Sequence, residues 1–380
     1  MMRPLPFRPF ECILVIKPSA VGDVVHALPV LVKLRARFPA ARIDWLITPE
    51  NADLVRHHPA LSHVVSFPRR QYARFGRSWD ATAGPLRLLA EIRRNRYDLV
   101  IDLHGQLRSA IFTLASGAPT RIGFDRPRRH VARAGLRRLP RHVWRHGWAG
   151  AREGAWVAYT HRIPIPTLDV HAVDRYLWLA PLLGLDDGPP DFRIHVPPEA
   201  IARAEGLLES QGLGGKDFAL LVPGTIWPTK HWHVAGFAQV GRYFRESGLA
   251  VVLAGTLKDR ARCQAIAASC PGACDLSGRT TLADLIALIR RATICITNDS
   301  GSMHLAVALD RPVVSIFGPT DPVHVGPYGR PLAVVRADVP CAPCYLRRLP
   351  SCPNGHRCME DVTAAMVIER AEQILAGATS

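Results

Sequence analysis

A chain of 380 residues, 48% of them hydrophobic, is long enough for two domains with cores of their own. It holds no apolar run near the roughly 18 residues needed to span a bilayer. Its formal charge of +16 favours anionic partners, but no zinc-finger spacing or RNP-type aromatic motif marks a nucleic-acid module.

The opening residues, MMRPLPFRPFECILVIK, lack an apolar h-region followed by a small-residue cleavage site. A cytoplasmic protein, at most peripheral to a membrane, is expected. Cys12–Lys17 is a short apolar run and predicts a buried parallel strand. The turn Pro18-Ser19-Ala20-Val21-Gly22-Asp23 follows. A helix with apolar residues at Val24, Ala27, Leu28, Leu31 and Leu34 then runs to about Arg37. Asp23 therefore stands at the mouth of a strand–turn–helix crevice. It either caps the helix or acts as a general base toward an acceptor hydroxyl.

Further strands are expected at Arg42–Thr48, His63–Phe67, Tyr97–Leu103 and Arg121–Phe124. Helices are expected near Asn51–His58, Pro85–Asn95 and Leu107–Ala115. His104 and Gln106, at the end of a strand, are either ligand contacts or plain loop residues. The alternation of strand and helix describes an open parallel sheet. After Phe124 the pattern loosens. Between Arg121 and Arg152 stand ten arginines against one acid, Asp125, with Trp144 and Trp148 among them. This is either an anion-seeking patch or a solvated arginine-rich surface. A helix is expected over Asp169–Leu183. Gly184–Pro198, with its Gly-Pro-Pro break, reads as a linker enclosing one short strand.

The second half repeats the construction. Glu199–Glu209 is a helix, Phe218–Val222 a strand, and Pro223-Gly224-Thr225 a loop leading to Lys230, His231 and Trp232. A helix at Val234–Glu246, a strand at Leu249–Ala254, a helix from Lys258 and a short strand at Leu276–Gly278 follow. Thr281 starts another helix with Asp284 in its first turn. Then come strand Thr293–Thr297, the turn Asn298-Asp299-Ser300-Gly301, helix Ser302–Leu309 and strand Pro312–Phe317. Asp299 or Ser300 is expected to cap that helix. Its positive end, with Gly301 allowing close approach and His304 in the first turn, suits a phosphate or diphosphate; the alternative is an ordinary strand-to-helix turn with a capping Asp. The two halves predict two doubly wound domains across a cleft, 1–190 and 191–380.

A nucleotide-sugar donor would release a diphosphate whose growing charge needs stabilisation. A helix end supplies about 0.3–2 kcal/mol toward a nearby charge. Lys230 adds a point charge, and Gly224 and Thr225 add hydrogen bonds. No DxD-type acidic cluster stands out, so metal-independent transfer is expected, with no cofactor. One base and one leaving group imply a single displacement with inversion. Cys341, Cys344, Cys352 and Cys358 have partly zinc-like spacing, with His356 as a substitute ligand. They read as a metal seat, as reduced thiols or as an oxidised pair.

Ile16–Pro29, Lys230–Trp232 and Asn298–Pro322, in matching order from residue 12 to about 322, resemble the glycosyltransferase family 9 heptosyltransferases. The resemblance implies a GT-B fold of two Rossmann-like domains. It implies heptose transfer from ADP-heptose to Kdo-lipid A, or to the first heptose, at the cytoplasmic face of the inner membrane. Asp23 matches the catalytic base, Lys230 the lysine at the donor, and Asp299, Ser300, Gly301 and His304 the donor loop. Ser19, Gly22, His104 and Arg121 are the expected acceptor contacts. The inserted Trp227-Pro228, and Ser300 where threonine is common, depart from the family pattern. Three alternatives stand beside this: a family 9 transferase using another sugar or acceptor, a two-domain sugar-nucleotide epimerase, and a non-catalytic binder of RNA or anionic lipid. A nicotinamide dehydrogenase is disfavoured, because no GxGxxG follows the first strand.

Overall fold

The computed structural model describes residues 5, 9–72, 79–127 and 148–378. Residues 128–147, with Trp144 and most of the arginine-rich stretch, lie outside them. Packing divides the described residues into a unit that ends at His195 and a unit that begins at Val196.

The first unit is built on six parallel strands: β1 (Cys12–Ile16), β2 (Arg42–Ile47), β3 (His63–Ser66), β4 (Leu99–Asp102), β5 (Thr120–Phe124) and β6 (His161–Ile163). Their order is β3-β2-β1-β4-β5-β6. The central pair runs in register, with Ile13 beside Leu99 and Ile16 beside Asp102. Ile13, Leu14, Val15 and Ile16 are all buried, because helices cover both faces of a parallel sheet.

The second unit repeats the plan with β7 (Phe218–Val222), β8 (Ala250–Leu253), β9 (Cys274–Asp275), β10 (Ile294–Asn298), β11 (Val313–Phe317) and β12 (Val334–Arg336). The order is β12-β11-β10-β7-β8-β9, again all parallel. Its core gathers Leu221, Trp232, Phe237, Phe244, Leu253, Ile296 and Val314. Val367 and Ala371 of the C-terminal helix Ala364–Ala378 complete it.

Several elements differ from the sequence expectation. The first helix is Val21–Arg37, so Asp23 lies inside its first turn rather than before it. Asn51–His58 is instead a short 3-10 turn over Pro49–Leu54, with a proline at its start. The expected helix Asp169–Leu183 is two, Ala172–Leu177 and Ala180–Leu183. Pro181 has no N–H to continue a helix and sits in the first turn of the second one. The linker forms no strand, since Asp191 accepts from the backbone and guanidinium of Arg193 within the loop. The strand expected at Leu276–Gly278 falls earlier, at Cys274–Asp275, because Asp275 turns the chain by accepting from the Ser277 N–H.

One packing contact ties the fold to the first site. A methyl group on Gly123 of β5 would lie 2.4–2.7 Å from the ring of Tyr159. The Tyr159 hydroxyl donates to buried Asp102 at 2.8 Å. Gly123→Ala is therefore expected to destabilise the first unit by about 1–3 kcal/mol, as overpacking does. Urea unfolding followed by tryptophan fluorescence measures it, and an unchanged midpoint would show that Tyr159 moves aside freely.

Candidate active site

In both sheets the winding reverses beside the strand that starts the unit. Open α/β sheets bind ligands outside the carboxyl ends of strands at such a point. In the first unit these are the ends of β1 and β4, in the second those of β7 and β10.

After β1 the chain is pinned before it turns. Trp45 Nε1 donates to the Lys17 carbonyl at 3.1 Å. The Thr48 N–H and Asn51 Nδ2 donate to that of Pro18 at 3.1 and 3.3 Å. Ser19 is partly buried and Gly22 fully so. The Asp23 carboxylate, half exposed, sits 3.7 Å from the ammonium of buried Lys17. It accepts from the Tyr176 hydroxyl at 3.3 Å and from the Ala20 N–H at 3.4 Å. Lys17 also lies over the Tyr176 ring, 5.0 Å from its centre. Burial pushes the Asp23 carboxyl upward, but Lys17, Arg175, His104 and the Ala20 N–H outweigh it and hold it below the usual carboxylate range. Asp23 is thus an ionised carboxylate.

After β4, buried Asp102 accepts from the backbone N–H groups of His104 and Gly105 at 2.8 and 3.0 Å. Gly105 adopts φ +66°, which glycine takes without strain. Burial, then Lys17, presses the His104 imidazole down to about 3, so it is neutral at pH 7. Arg121 stands apart from this group. Its guanidinium donates to the carbonyls of Ala158 and Ala118 at 2.7 and 2.6 Å, which makes it a strut for the loop beside β5.

In the second unit, buried Asn298 at the tip of β10 clamps the loop after β7. It accepts from the Trp232 N–H at 3.2 Å and donates to the Pro223 carbonyl at 2.8 Å. Asp299 pairs with Lys230 at 2.6 Å and accepts from the Thr320 hydroxyl. Thr225 Oγ1 donates to the Asp299 carbonyl at 3.2 Å. The helix beyond is Gly301–Ala308, with Ser300 at its cap position. The expected side-chain cap does not form. Asp299 is engaged by Lys230 and Thr320, and Ser300 Oγ bonds Ser302 Oγ at 2.7 Å. His304 is buried in this helix. Gly224 lies on the loop beside Asp259, whose carboxyl group would crowd a methyl there.

The cysteine segment attaches to the same loop. Thr229 Oγ1 donates to the Leu346 carbonyl at 2.5 Å, and His356 Nε2 meets the Thr229 carbonyl at 2.6 Å. Trp227 has Lys230 at 4.4 Å and Arg347 at 4.5 Å from its ring centre. Cys341, Cys344, Cys352 and Cys358 are free thiols. Burial, then Cys344, Cys341 and Cys352, pushes Cys358 up to about 12. Among the described residues no group of three or more His, Cys, Asp or Glu side chains is placed to hold a metal ion.

Sequence reading missed Lys17, Arg175, Tyr176, Asp102 and Asn298. Only Asp102 and Asn298 carried a local signal, each as the polar end of an apolar strand.

A family model described as glycosyltransferase family 9 (heptosyltransferase) matches residues 86–146 and 130–351. Lipopolysaccharide heptosyltransferase 1 of Pseudomonas aeruginosa is 30% identical over 338 residues, covering 87% of this chain and 85% of that relative. The crystal structure of a family 9 glycosyl transferase from Veillonella parvula aligns with a TM-score of 0.75 at 22% identity, covering 97% and 98% of the two chains. Escherichia coli heptosyltransferase WaaC, solved with ADP-2-deoxy-2-fluoro heptose, aligns with a TM-score of 0.70 at 24% identity, covering 96% and 99%. With two parallel six-stranded sheets, the chain has the α/β fold of that group, two Rossmann-like doubly wound domains of the GT-B kind.

The electrostatics of Asp23 can be tested directly. Its folded pKa lies below the unfolded value, so its charge contributes stability above the unfolded carboxyl range. That contribution fades as pH falls through the folded pKa. Lys17→Met is expected to raise the pH at which the Asp23 carboxyl titrates, followed by carbon-13 NMR. An unmoved midpoint would show that Lys17 does not set the charge of the site.

Proposed function

The chain belongs to glycosyltransferase family 9, and from that premise we propose that it transfers a heptose from ADP-heptose to the Kdo-lipid A inner core of lipopolysaccharide, with inversion. The reading rests first on Lys230, held beside the start of a helix at the tip of β10. This is where a departing diphosphate finds positive charge.

We assign the donor to residues 191–380 and the acceptor to residues 1–190. Lys230 has three N–H donors, and Asp299 takes one, leaving others for phosphate oxygens. Gly224, Thr225, Ser300, Gly301 and His304 surround the same strand tips. On the acceptor side Asp23 takes the proton of the attacking hydroxyl, with Ser19, Gly22 and His104 as neighbours. The hydroxyl oxygen bonds to the sugar's anomeric carbon as the bond from that carbon to the diphosphate breaks. ADP leaves with the electron pair, and the proton remains on Asp23. A carboxylate of lowered pKa is a weak base, so proton transfer comes late, once the oxygen has gained positive character. Tyr176 and Lys17 hold the carboxylate in place meanwhile.

Among the described residues no helix is long and apolar enough to cross a membrane. Together with the +16 charge this supports peripheral contact at the cytoplasmic face of the inner membrane. No nucleic-acid partner is invoked.

The test is ADP release from ADP-heptose in the presence of Kdo-lipid A, with and without a first heptose, and with other nucleotide sugars as controls. Release only with one acceptor is expected, and that acceptor gives the position of transfer. Asp23→Asn should lower turnover by about 100- to 10,000-fold while ADP still binds in calorimetry. Lys230→Met should weaken ADP binding and lower turnover by about 100-fold or more. Acceptor-independent release, or a fully active Asp23→Asn, would sink the reading.

A further inference from the structure

The helix Leu107–Ala115 buries Ser109, Ala110, Phe112 and Thr113 against its own unit. A helix with one face in the core normally shows polar residues on the other. This one does not. Leu107, Ile111 and Leu114 are 53%, 47% and 55% exposed, and their spacing of four and three residues puts them on one face. The turn Ala155–Ala158 packs against this helix and carries Val157, 73% exposed. Clustered exposed apolar side chains of this kind mark an interaction surface.

We propose that this face docks the protein onto an anionic lipid bilayer, beside the acceptor site. Charge selects the partner. Arg108 is exposed on the same helix and Arg152 shortly before Val157. The chain as a whole carries a formal charge of +16. An apolar strip bordered by Arg108 and Arg152, with the one acid beside them, Glu153, taken up by the Leu107 N–H at 3.1 Å, suits acyl chains below and anionic headgroups around. A second copy of the chain would bring another net charge of +16 against the first, which like-charge repulsion opposes. Position agrees. The helix begins directly after His104 and Gln106, at the end of β4 that holds the first candidate site, so a lipid-linked acceptor would present its headgroup at the right edge. This part rests on the function proposed above; the surface itself does not.

The experiment uses the purified full chain and sedimentation with vesicles of phosphatidylcholine alone or mixed with phosphatidylglycerol. The expected result is binding to the anionic vesicles that weakens with salt. It should fall by about tenfold or more in the triple variant L107S/I111S/L114S and measurably in Val157→Asp. Leu332→Ser, an exposed apolar deletion on the second unit, should bind as the wild type does. No turnover is needed, so the result stands apart from the identity of donor and acceptor. With Kdo-lipid A in vesicles the triple variant should lose activity, and with its deacylated oligosaccharide it should keep it. A triple variant that sediments like wild type overturns the proposal, as does a wild type that ignores anionic vesicles. A wild type dimer that the triple variant dissolves into monomers would assign the face to a second copy instead, and overturns it too.

Discussion

A parallel sheet wound outward from its centre cannot cover all of its own strand ends. Where the winding reverses, the connections from two neighbouring strands leave toward opposite faces, and the carboxyl ends between them stay open. This chain builds that opening twice. In the first unit it lies between β1 and β4, and in the second between β7 and β10. The polar residues of interest follow those four strands: Lys17 and Asp23 after β1, Asp102 and His104 at the end of β4, Lys230 beyond β7, Asn298 and Asp299 at the end of β10. Elsewhere in the sheets the strands are mostly apolar, and a buried polar group there brings its own partners, as Asp44 of β2 does with the Tyr97 hydroxyl and Arg42.

Charge is placed differently in the two openings. In the second, Lys230 and Asp299 neutralise each other at 2.6 Å, so the lysine is held in position without a ligand. In the first, Lys17 and Arg175 are both buried, and among the described residues the carboxylate that faces them is that of Asp23. Arg175 lies on the face of Trp148 at 4.0 Å, which offsets part of its desolvation. The excess is positive. It keeps Asp23 ionised, adds to the burial that keeps His104 neutral, and matches the anionic acceptor proposed for this unit.

The apolar runs of β1, β7, β10 and β11 were legible in the sequence within a residue or two, as was the helix Leu107–Ala115. Asp23, Lys230 and Asp299 stood out there as candidates, in short motifs that follow strands. What escaped reading depends on distance along the chain. Tyr176 meets Asp23 across 153 residues, and Asn298 meets Trp232 across 66. Neither pairing has a local pattern. The edge strands β6 and β12, three residues each, are too short for any period to show. The capping expectation at Asp299 and Ser300 failed for a physical reason. An aspartate with a lysine and a threonine hydroxyl in reach forms stronger bonds there than to a helix N–H.

The cysteine segment shows how the fold holds a loop that its sheet alone would leave loose. Between Val222 and the helix Val234–Glu246 the chain has only a single 3-10 turn, at Pro228–Lys230. Ordering such a stretch costs conformational entropy, and a ligand would have to supply it on binding. The tail supplies it beforehand. The Cys344 and Tyr345 N–H groups both donate to the Pro319 carbonyl, at 3.0 and 2.7 Å, fixing the segment beyond β11. At Gly318 a methyl group would lie 2.3 Å from the Met359 sulfur and 3.2 Å from Cys358 Sγ, so a side chain there would push the segment away. From this seat Leu346 and His356 grip Thr229, and Arg347 stacks on Trp227. Lys230 is therefore fixed from two sides, by Asp299 from the sheet and by the tail through its neighbours. The buried thiols Cys344 and Cys358 pack at the base of that brace.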